Sequence, residues 1–255
     1  MPLNQVSNHI YRCRNKFGMT RVILNSLPLH GNDKTVSGSK SANAEKRFSV
    51  LITINEFSCF SCKSEEAMKI IRSQNIPDVM LFEPDLYRDE RGYFYEIYRE
   101  KQYSDMIPSL FVQDNHSFSR KGVIRGLHYQ IGKPQGKLIS VLAGEIFDVA
   151  VDIRRGSPTF GNHTTAILSS DNHLQIYIPE GFAHGFQATG ENASVLYKCT
   201  DYYDPDCEKG IRWNDPALGI GWPLIEQILS FKDQRLPFLA DLRKEDLPEY
   251  SEHFR

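Results

Sequence analysis

The chain has 255 residues, of which 40% are hydrophobic and 24% are charged, and its formal net charge is −2. A near-neutral charge does not favour nucleic-acid binding, and the apolar runs are shorter than the ~18 residues that a membrane-spanning helix needs. The composition therefore predicts a protein that binds neither nucleic acid nor a membrane.

The N-terminal part of the chain differs in composition from the rest. The first fifty residues carry eight Lys or Arg but only two acidic residues, Asp33 and Glu45, and residues 30–47 are polar and rich in turn formers. Such a segment is typical of a disordered linker and also resembles an organelle transit peptide; translation starting at Met68 is a third interpretation. We predict a disordered or dispensable extension over residues 1–70, one domain over 71–245 and a tail over 246–255.

The cysteines point to a reducing compartment. There are five, without regular spacing, and Cys59 and Cys62 form a lone CxxC. A single pair is weak evidence for a zinc or redox site, so reduced thiols and a cytoplasmic location are the better interpretation.

From Pro77 onward, hydrophobic and polar residues alternate as in β-strands. Residues 144–153, 173–178 and 194–203 are predicted strands, and residues 99–106 and 233–242 are predicted short helices. Many short strands separated by Gly or Pro turns indicate an all-β fold, an antiparallel sandwich or barrel of jelly-roll type. In the first predicted strand, one face carries Phe147, Val149, Val151 and Ile153, and the opposite face carries Asp148, Ala150 and Asp152. In the second, Leu174, Ile176 and Ile178 point inward. In the third, one face carries Val195, Tyr197 and Cys199, and the opposite face carries Leu196 and Lys198.

Two histidines stand in runs rich in glycine and aromatic residues: His128 in RGLHYQ and His184 in PEGFAHGF. Histidine exchanges protons near neutral pH, so this pair indicates a proton-transfer site. Arg125 needs an anionic partner if it is buried, and a phosphate suits its guanidinium. Residues three apart on a regular strand point to opposite faces, so Arg125 and His128 can share a cavity only if Gly126 permits a bulge.

Other residues have both a structural and a functional interpretation. Lys137 is either a solvated strand-end lysine or a cation that stabilises a developing oxyanion. Tyr197 is either a core tyrosine or a general acid. Arg91 lies beside aromatic residues, so it could hold the phosphate of a nucleotide while a ring stacks on the nucleotide's base. Three consecutive polar residues suggest either a polar ligand or an edge strand: Gln113, Asp114 and Asn115.

Taken together, the motifs resemble the dTDP-4-dehydrorhamnose 3,5-epimerase family over residues 76–237. They are DERGYFYE, FVQDNHS, RGLHYQ, QGKL, GEIFDVAVDIRRGSPTFG, IPEGFAHGF, LYKCTDYYDP, GIRWNDP and the pair Lys232-Asp233. Each motif is weak alone, but so many in one order are highly specific.

The resemblance implies a cupin-like jelly roll, a homodimer, no metal or other cofactor, and a dTDP-4-keto-6-deoxyhexose substrate on the route to dTDP-L-rhamnose. It assigns His128 as the base, Asp233 as its partner and Tyr197 as the acid. The interpretation of Lys137 as an oxyanion-stabilising cation makes it a further catalytic residue, which would stabilise the enolate. Substrate-binding roles fall on Arg91, Glu96, Gln113, Asp114, Asn115, Arg125, Lys137, His184, Glu208 and Lys232.

Three alternatives remain open at this level. A mono-epimerase would invert carbon 3 or carbon 5 alone. A metal-dependent cupin would need an HxH pair followed by a glutamate, but His128-Tyr129-Gln130 occupies that place and the next glutamate is Glu145. A sugar-nucleotide-binding protein without activity would have no need of both an acid and a base.

Overall fold

A computed structural model of the protein describes residues 68–251 and, nearer the N-terminus, four residues that form two short strands. The chain divides into two units, Met1–Cys59 and Phe60–Arg255. In the first unit, β1 (Cys13–Arg14) pairs with β2 (Thr20–Arg21) in antiparallel fashion. The rest of the predicted extension up to residue 67, including the Cys59–Cys62 pair, lies outside the described residues.

The second unit is built almost entirely from β-strands. They are β3 (Lys69–Arg72), β4 (Met80–Glu83), β5 (Tyr87–Asp89), β6 (Gly92–Phe94), β7 (Gln113–Arg120), β8 (Ile124–Gln130), β9 (Lys137–Asp152), β10 (His163–Ser169), β11 (Gln175–Ile178), β12 (Phe182–Cys199) and β13 (Glu208–Gly210). All pairings between these strands are antiparallel, which confirms the predicted all-β class.

The helices are short. One α-helix, α1 (Glu100–Tyr103), lies within the predicted 99–106 segment. The predicted helix over 233–242 consists of two 3-10 turns, Asp233–Arg235 and Leu239–Asp241, and a third turn follows at Lys244–Asp246. Pro237 lies between the first two turns, where it cannot donate a backbone hydrogen bond. None of the helices in the described part of the chain has the length and hydrophobicity needed to cross a membrane.

Two long strands, β9 and β12, run through both layers of the fold. The first layer of the fold consists of β3, β4, β11, the start of β9, the end of β12 and β7. The second layer consists of β10, the end of β9, the start of β12, β8 and β13. The change of layer occurs where the pairing register of β9 and β12 shifts, between Ala188 and Ala193. Gly144 adopts φ +80° there, and a β-carbon at this position would lie 1.9 Å from the carbonyl oxygen of Asn192.

The main hydrophobic core lies between the two layers. It joins residues of β9 and β12 from both sides of the bend, including Ile139, Ile146, Ala150, Phe186 and Val195. The face of these strands toward the other layer is called the inner face below.

The outer faces of the two layers are covered by other segments. Val149 and Val151 pack outward against C-terminal residues such as Trp222 and Leu242. Leu138 and Tyr177 pack outward against α1 and its neighbours. The predicted division of residues 144–153 into two faces is confirmed, because Ala150 belongs to the inner core and its odd-numbered neighbours to an outer one.

Some predicted boundaries differ from the observed ones. The strand predicted from residue 173 begins at Gln175, and the strand predicted to reach residue 203 ends at Cys199. The predicted boundary at residue 70 falls inside β3, which pairs with β4. The predicted tail is packed onto the domain as far as Tyr250, because Leu247 joins an outer core and Tyr250 donates its N–H to Arg155.

Candidate active site

A bulge in β8 places Arg125 and His128 on the same, inner face. His128 is in register with His184 of β12, and Arg125 is in register with Phe186, so the register shifts between the two pairs. Gly126 adopts φ +121° inside this shift, a conformation that other residues rarely adopt. The bulge at Gly126, which the sequence analysis required if Arg125 and His128 were to point to the same side, is therefore present.

His128 forms a hydrogen-bonded pair with Asp233. Nε2 of His128 lies 2.7 Å from Oδ1 of Asp233, and the two side chains are 27% and 6% exposed. Burial raises the pKa of Asp233, but interactions with His128, Ser230 and the Gly126 backbone outweigh it and leave the pKa below its usual value. An ionised carboxylate on Nε2 keeps the proton on that nitrogen and leaves Nδ1 to act as a base.

Lys137 and Tyr197 reach the same cavity from the first layer. Lys137 is paired in register with Cys199, and Tyr197 with Ile139 of the inner core. Together with His128 they line a cavity of about 350 Å³. His128 and Tyr197 therefore belong to opposite layers of the fold.

Burial sets the protonation states of these two groups. It raises the pKa of Tyr197, as the neighbouring Cys199 also does, whereas Arg125 lowers it; the net shift is upward. Tyr197 therefore keeps its proton at neutral pH, as a general acid must. Burial lowers the pKa of Lys137, and the groups that partly oppose this are Cys199, Asp148 and Glu208.

Polar side chains complete the lining of the cavity. Gln113 and Asn115 point inward from β7 and are joined by a hydrogen bond of 3.0 Å. Glu208 accepts hydrogen bonds from Lys232 at 2.6 Å and from Tyr203 at 2.8 Å. These two bonds outweigh the effect of burial and hold the pKa of Glu208 below its usual value, so the carboxylate is ionised.

Two predicted residues lie on the inner face beside the cavity without lining it. Arg125 donates from Nε to Ser119 Oγ at 2.9 Å and from Nη2 to the Phe118 carbonyl oxygen at 3.1 Å. His184 is held by Asp148, with 2.8 Å between Nε2 and Oδ2. The structure thus contains a second histidine–aspartate pair next to the first.

Three predicted substrate contacts are not brought to the cavity of their own chain. Asp114 lies on the outer face of β7, where it pairs with Lys198 at 2.8 Å. Arg91 pairs with Asp89 in the hairpin of β5 and β6, and Glu96 pairs with Arg99. Neither Arg91 nor Glu96 lines the 350 Å³ cavity.

Sequence reasoning missed several residues of the site. Asp148 is fully buried and holds His184, and a carboxylate inside the apolar run GEIFDVAVDI was the available signal, because a buried charge needs a partner. Tyr203 and Gln135 line the cavity from segments without regular alternation. Ser119 orients Arg125 and carries no distinguishing signal in the sequence.

No group of three or more His, Cys, Asp or Glu side chains with a metal-binding arrangement occurs within the part of the chain that the structure describes. In the histidine pairs, Nε2 of each ring is bonded to an aspartate.

Comparison with known proteins identifies the family to which this double-layered β fold belongs. Residues 73–241 match the family described as dTDP-4-dehydrorhamnose 3,5-epimerase. An enzyme of that name from Pseudomonas aeruginosa is 53% identical over 169 residues, which are 65% of this chain and 93% of the relative. One from Neisseria gonorrhoeae is 56% identical over 160 residues, 62% of this chain, but the match spans only 49% of that relative.

A solved structure agrees with these matches. The dTDP-6-deoxy-D-glucose-3,5-epimerase from Legionella pneumophila, in complex with dTDP-4-keto-L-rhamnose, is 53% identical with a TM-score of 0.70, and the match covers 72% of this chain and 99% of that one. The chain belongs to the dTDP-4-dehydrorhamnose 3,5-epimerase family, which confirms the resemblance that its motifs indicated.

Proposed function

We propose that this protein inverts carbons 3 and 5 of dTDP-4-dehydro-6-deoxy-D-glucose to give dTDP-4-dehydro-L-rhamnose, in the synthesis of dTDP-L-rhamnose. The observation that carries the proposal is the placement of the His128–Asp233 pair and Tyr197 on opposite layers of one cavity that also holds Lys137. Inverting a carbon requires a base on one face of the sugar and an acid on the other, and this cavity supplies both.

The reaction begins with His128. Because Nε2 of His128 is hydrogen-bonded to Asp233, Nδ1 abstracts a proton from a carbon next to the 4-keto group. The electron pair of the broken C–H bond moves onto the keto oxygen as an enolate. The ammonium of Lys137, which lines the cavity, stabilises that negative charge.

Tyr197 completes the inversion. Its hydroxyl gives a proton to the opposite face of the same carbon, and the enolate returns to the ketone. The raised pKa of Tyr197 ensures that the proton is present. Before the second carbon is processed, the tyrosinate formed regains a proton from solvent and the protonated His128 releases its proton to solvent. Repetition at the other carbon gives the 3,5-inverted product.

The nucleotide part of the substrate requires cations and hydrogen-bonding groups near the sugar. Arg125 on the inner face suits a phosphate oxygen, and Gln113 and Asn115 offer amide groups in the lining. Glu208 and Lys232 form an ion pair at the margin of the site. We assign these five residues to substrate binding, with His184 beside the keto sugar.

Hydrogen exchange tests the proposal directly. The full-length protein is incubated with dTDP-4-keto-6-deoxyglucose in deuterium oxide, and NMR follows deuterium at carbons 3 and 5. Exchange with inversion at both carbons is expected. Exchange at a single carbon would identify a mono-epimerase, and absence of exchange at both would refute the epimerase assignment.

We also propose that the active form is a homodimer in which the β5–β6 hairpin completes the cavity of the partner subunit. The hairpin carries Arg91 and exposes aromatic side chains, with Tyr87 63% and Phe94 65% exposed. Arg91, which sequence reasoning assigned to substrate, does not line the cavity of its own chain. Contact of the hairpin with a second copy of the chain would explain both the exposed aromatic side chains and the position of Arg91 outside its own cavity.

Subunit mixing tests this arrangement. Arg91→Ala and His128→Asn variants, each impaired alone, are mixed under conditions that allow subunits to exchange. If the hairpin crosses to the partner, a hybrid dimer has one intact site, so activity up to roughly a quarter of wild type returns. A mixture of His128→Asn with Tyr197→Phe is the control and should stay inactive, because both residues belong to the same cavity. If the mixture with Arg91→Ala regains no activity, or if only the control mixture does, the hairpin does not complete the partner's cavity.

The proposed location is the cytoplasm. Cys199 and Cys207 are free thiols in the described region, as expected of a reducing compartment. Cell fractionation with an antibody against the protein is the test, and recovery in a membrane or extracellular fraction would contradict it.

A further inference from the structure

The β5–β6 hairpin needs an anchor on the rest of its own chain. Its two strands form a separate two-stranded sheet, and each strand is three residues long. A two-stranded hairpin of this size is at best marginally stable by itself in water. Arg91 lies in the turn between the two strands, so whatever fixes the hairpin also fixes where Arg91 is presented.

The two faces of the hairpin carry different aromatic side chains. Tyr87 and Phe94 are paired across the strands, with ring centroids 6.5 Å apart, and both are largely exposed. Arg88 and Tyr93 are paired on the other face, because neighbouring residues of a strand alternate. The guanidinium of Arg88 lies over the Tyr93 ring, 5.6 Å from its centroid. The hairpin therefore exposes one aromatic face and has a second face that contacts its own chain.

His173 contacts that second face. It lies in the turn between β10 and β11 and is only 7% exposed. The centroid of its ring is 4.7 Å from that of Tyr93 and 5.2 Å from that of Tyr95, the residue that follows β6. Among the described residues, the ring contacts that join residues 87–95 to another part of the chain are those with His173.

The turn itself does not require a histidine at this position. Ser169 Oγ accepts a hydrogen bond from the N–H of Asn172 at 3.1 Å. Asn172 Oδ1 accepts from the N–H groups of Ser169 and Leu174, both at 3.0 Å. His173 has φ +55°, in the left-handed region that glycine or asparagine adopts at lower cost than a residue with a large side chain. The ring of His173 therefore serves its contact with the hairpin rather than the turn.

His173 also differs from the two histidines of the site. His128 and His184 are each bonded to an aspartate, whereas His173 packs against two tyrosine rings. Burial lowers the pKa of His173, and the neighbouring Arg88 lowers it further, against a smaller opposing effect of Asp171. The ring is therefore uncharged at neutral pH and acts as an aromatic packing group.

We propose that His173 is a positioning residue, whose ring holds the β5–β6 hairpin so that Arg91 reaches the cavity of the partner subunit and binds the substrate there. This inference rests on the proposed epimerase function and the proposed homodimer, and it adds to them the group that orients the hairpin. His128, Tyr197 and Lys137 line their cavity without the hairpin of the same chain. Loss of the His173 ring should therefore weaken substrate binding more than it slows the chemical steps.

The test separates substrate binding from catalysis and from folding. Initial rates of hydrogen exchange into dTDP-4-keto-6-deoxyglucose are measured against substrate concentration, together with the melting temperature of each protein. His173→Asn removes the ring but suits the positive φ, so it should melt close to wild type. Its KM should rise by about tenfold with kcat nearly unchanged, because only a fraction of the hairpins would be in the orientation that binds substrate.

His173→Phe makes the opposite change. It keeps an aromatic ring against Tyr93 and Tyr95 but places a bulkier residue at a positive φ. It should melt at a lower temperature than wild type while its KM stays near the wild-type value. A wild-type KM in folded His173→Asn, or a KM that follows the melting temperature across the two variants, would overturn the inference.

His163→Asn is the matched control. It makes the same substitution at the other end of β10 (His163–Ser169), away from the turn that carries His173. Neither KM nor kcat should change in this variant. An increase in KM equal to that of His173→Asn would overturn the inference, because the effect would then not depend on the contact with the hairpin.

A double variant tests whether His173 acts through Arg91. Arg91→Ala alone should raise KM, and adding His173→Asn to it should raise KM by far less than tenfold. A full tenfold further increase, or a wild-type KM in Arg91→Ala, would overturn the inference. Wild-type protein that shows no exchange at all would instead refute the proposed function, so the two failures are distinguishable. If His173→Asn does not fold, His173→Gly replaces it with the same expected results.

Discussion

At the scale of single residues, the proposed mechanism assigns the removal of a proton and its delivery to different residues. His128 and Asp233 are joined at 2.7 Å on the second layer, and Tyr197 approaches from the first. Two groups that act at different steps should fail differently when they are removed.

Substitution of the base and of the acid should therefore have different consequences. His128→Asn should abolish both hydrogen exchange and inversion, since no enolate forms. Tyr197→Phe keeps the ring and removes only the acid, so His128 can still take a proton and return it to the same face. Exchange should persist while inversion falls by more than ~100-fold, as measured by NMR in deuterium oxide; a parallel loss of both in Tyr197→Phe would remove the tyrosine from its assigned role.

Lys137 should affect every proton transfer. Lys137→Ala removes the cation that we propose stabilises the enolate, so exchange should slow at each carbon that the enzyme processes. Removing an oxyanion partner typically costs ~100- to 1,000-fold. Initial exchange rates at saturating substrate provide the measurement, and rates equal to wild type would exclude Lys137 from the mechanism.

At the scale of elements, the active site depends on an irregular strand. The bulge in β8 turns Arg125 and His128 to one face, and Gly126 lies directly against β12. The same bulge brings the backbone of Gly126 to Asp233. A regular strand would place only one of Arg125 and His128 inside.

Gly126→Ala should disrupt this element. A β-carbon there would lie 2.6 Å from both the Gly185 Cα and the His184 carbonyl oxygen, and both are backbone atoms that cannot move independently of β12. With φ +121° as well, the variant should lose more than about 2 kcal/mol of unfolding free energy and most of its activity.

Gly156→Ala is the matched control for that prediction. Gly156 also has a positive φ, +85°, but nothing lies within 4 Å of the position of a β-carbon. It should show the backbone penalty alone, with activity retained. Urea denaturation and an exchange assay on both variants provide the comparison, and equal losses would show that the contact with β12 is unimportant.

At the scale of the whole molecule, the described strands of the larger unit begin at Lys69. The composition of the preceding residues lacks the apolar periodicity that builds a core. A chain that begins at Met68 should therefore keep its melting temperature and its turnover. A large loss of either, measured by calorimetry and by the exchange assay, would show that the N-terminal residues contribute to the domain.

The activity of the whole protein should not depend on a metal ion. The Nε2 atoms of His128 and His184 are each committed to an aspartate, and the HxH pair of a metal-binding cupin is replaced by His128-Tyr129-Gln130. Activity should survive exhaustive dialysis against EDTA. An activity lost on dialysis and restored by iron, manganese or zinc would reverse this conclusion.

Local sequence determined the strands and their faces. The alternation in residues 144–153 and in residues 194–199 is a property of neighbouring residues, because side chains on a strand alternate with a period of two. It therefore placed Tyr197 and Cys199 on one face, as the pairing of β12 with β9 shows. The motifs around His128 and His184 likewise indicate the site, because the chemistry of a histidine is a property of the residue itself.

Only the tertiary structure decided which surfaces meet. His128 and Asp233 are 105 residues apart in the chain, and the partnership of His184 with Asp148 spans 36. The placement of His128 opposite Tyr197 depends on the bend of β9 and β12 and on the bulge at Gly126. Periodicity reports which way a side chain points relative to its own strand, whereas the register between distant strands decides what it faces, and that register is a property of the whole packed sheet.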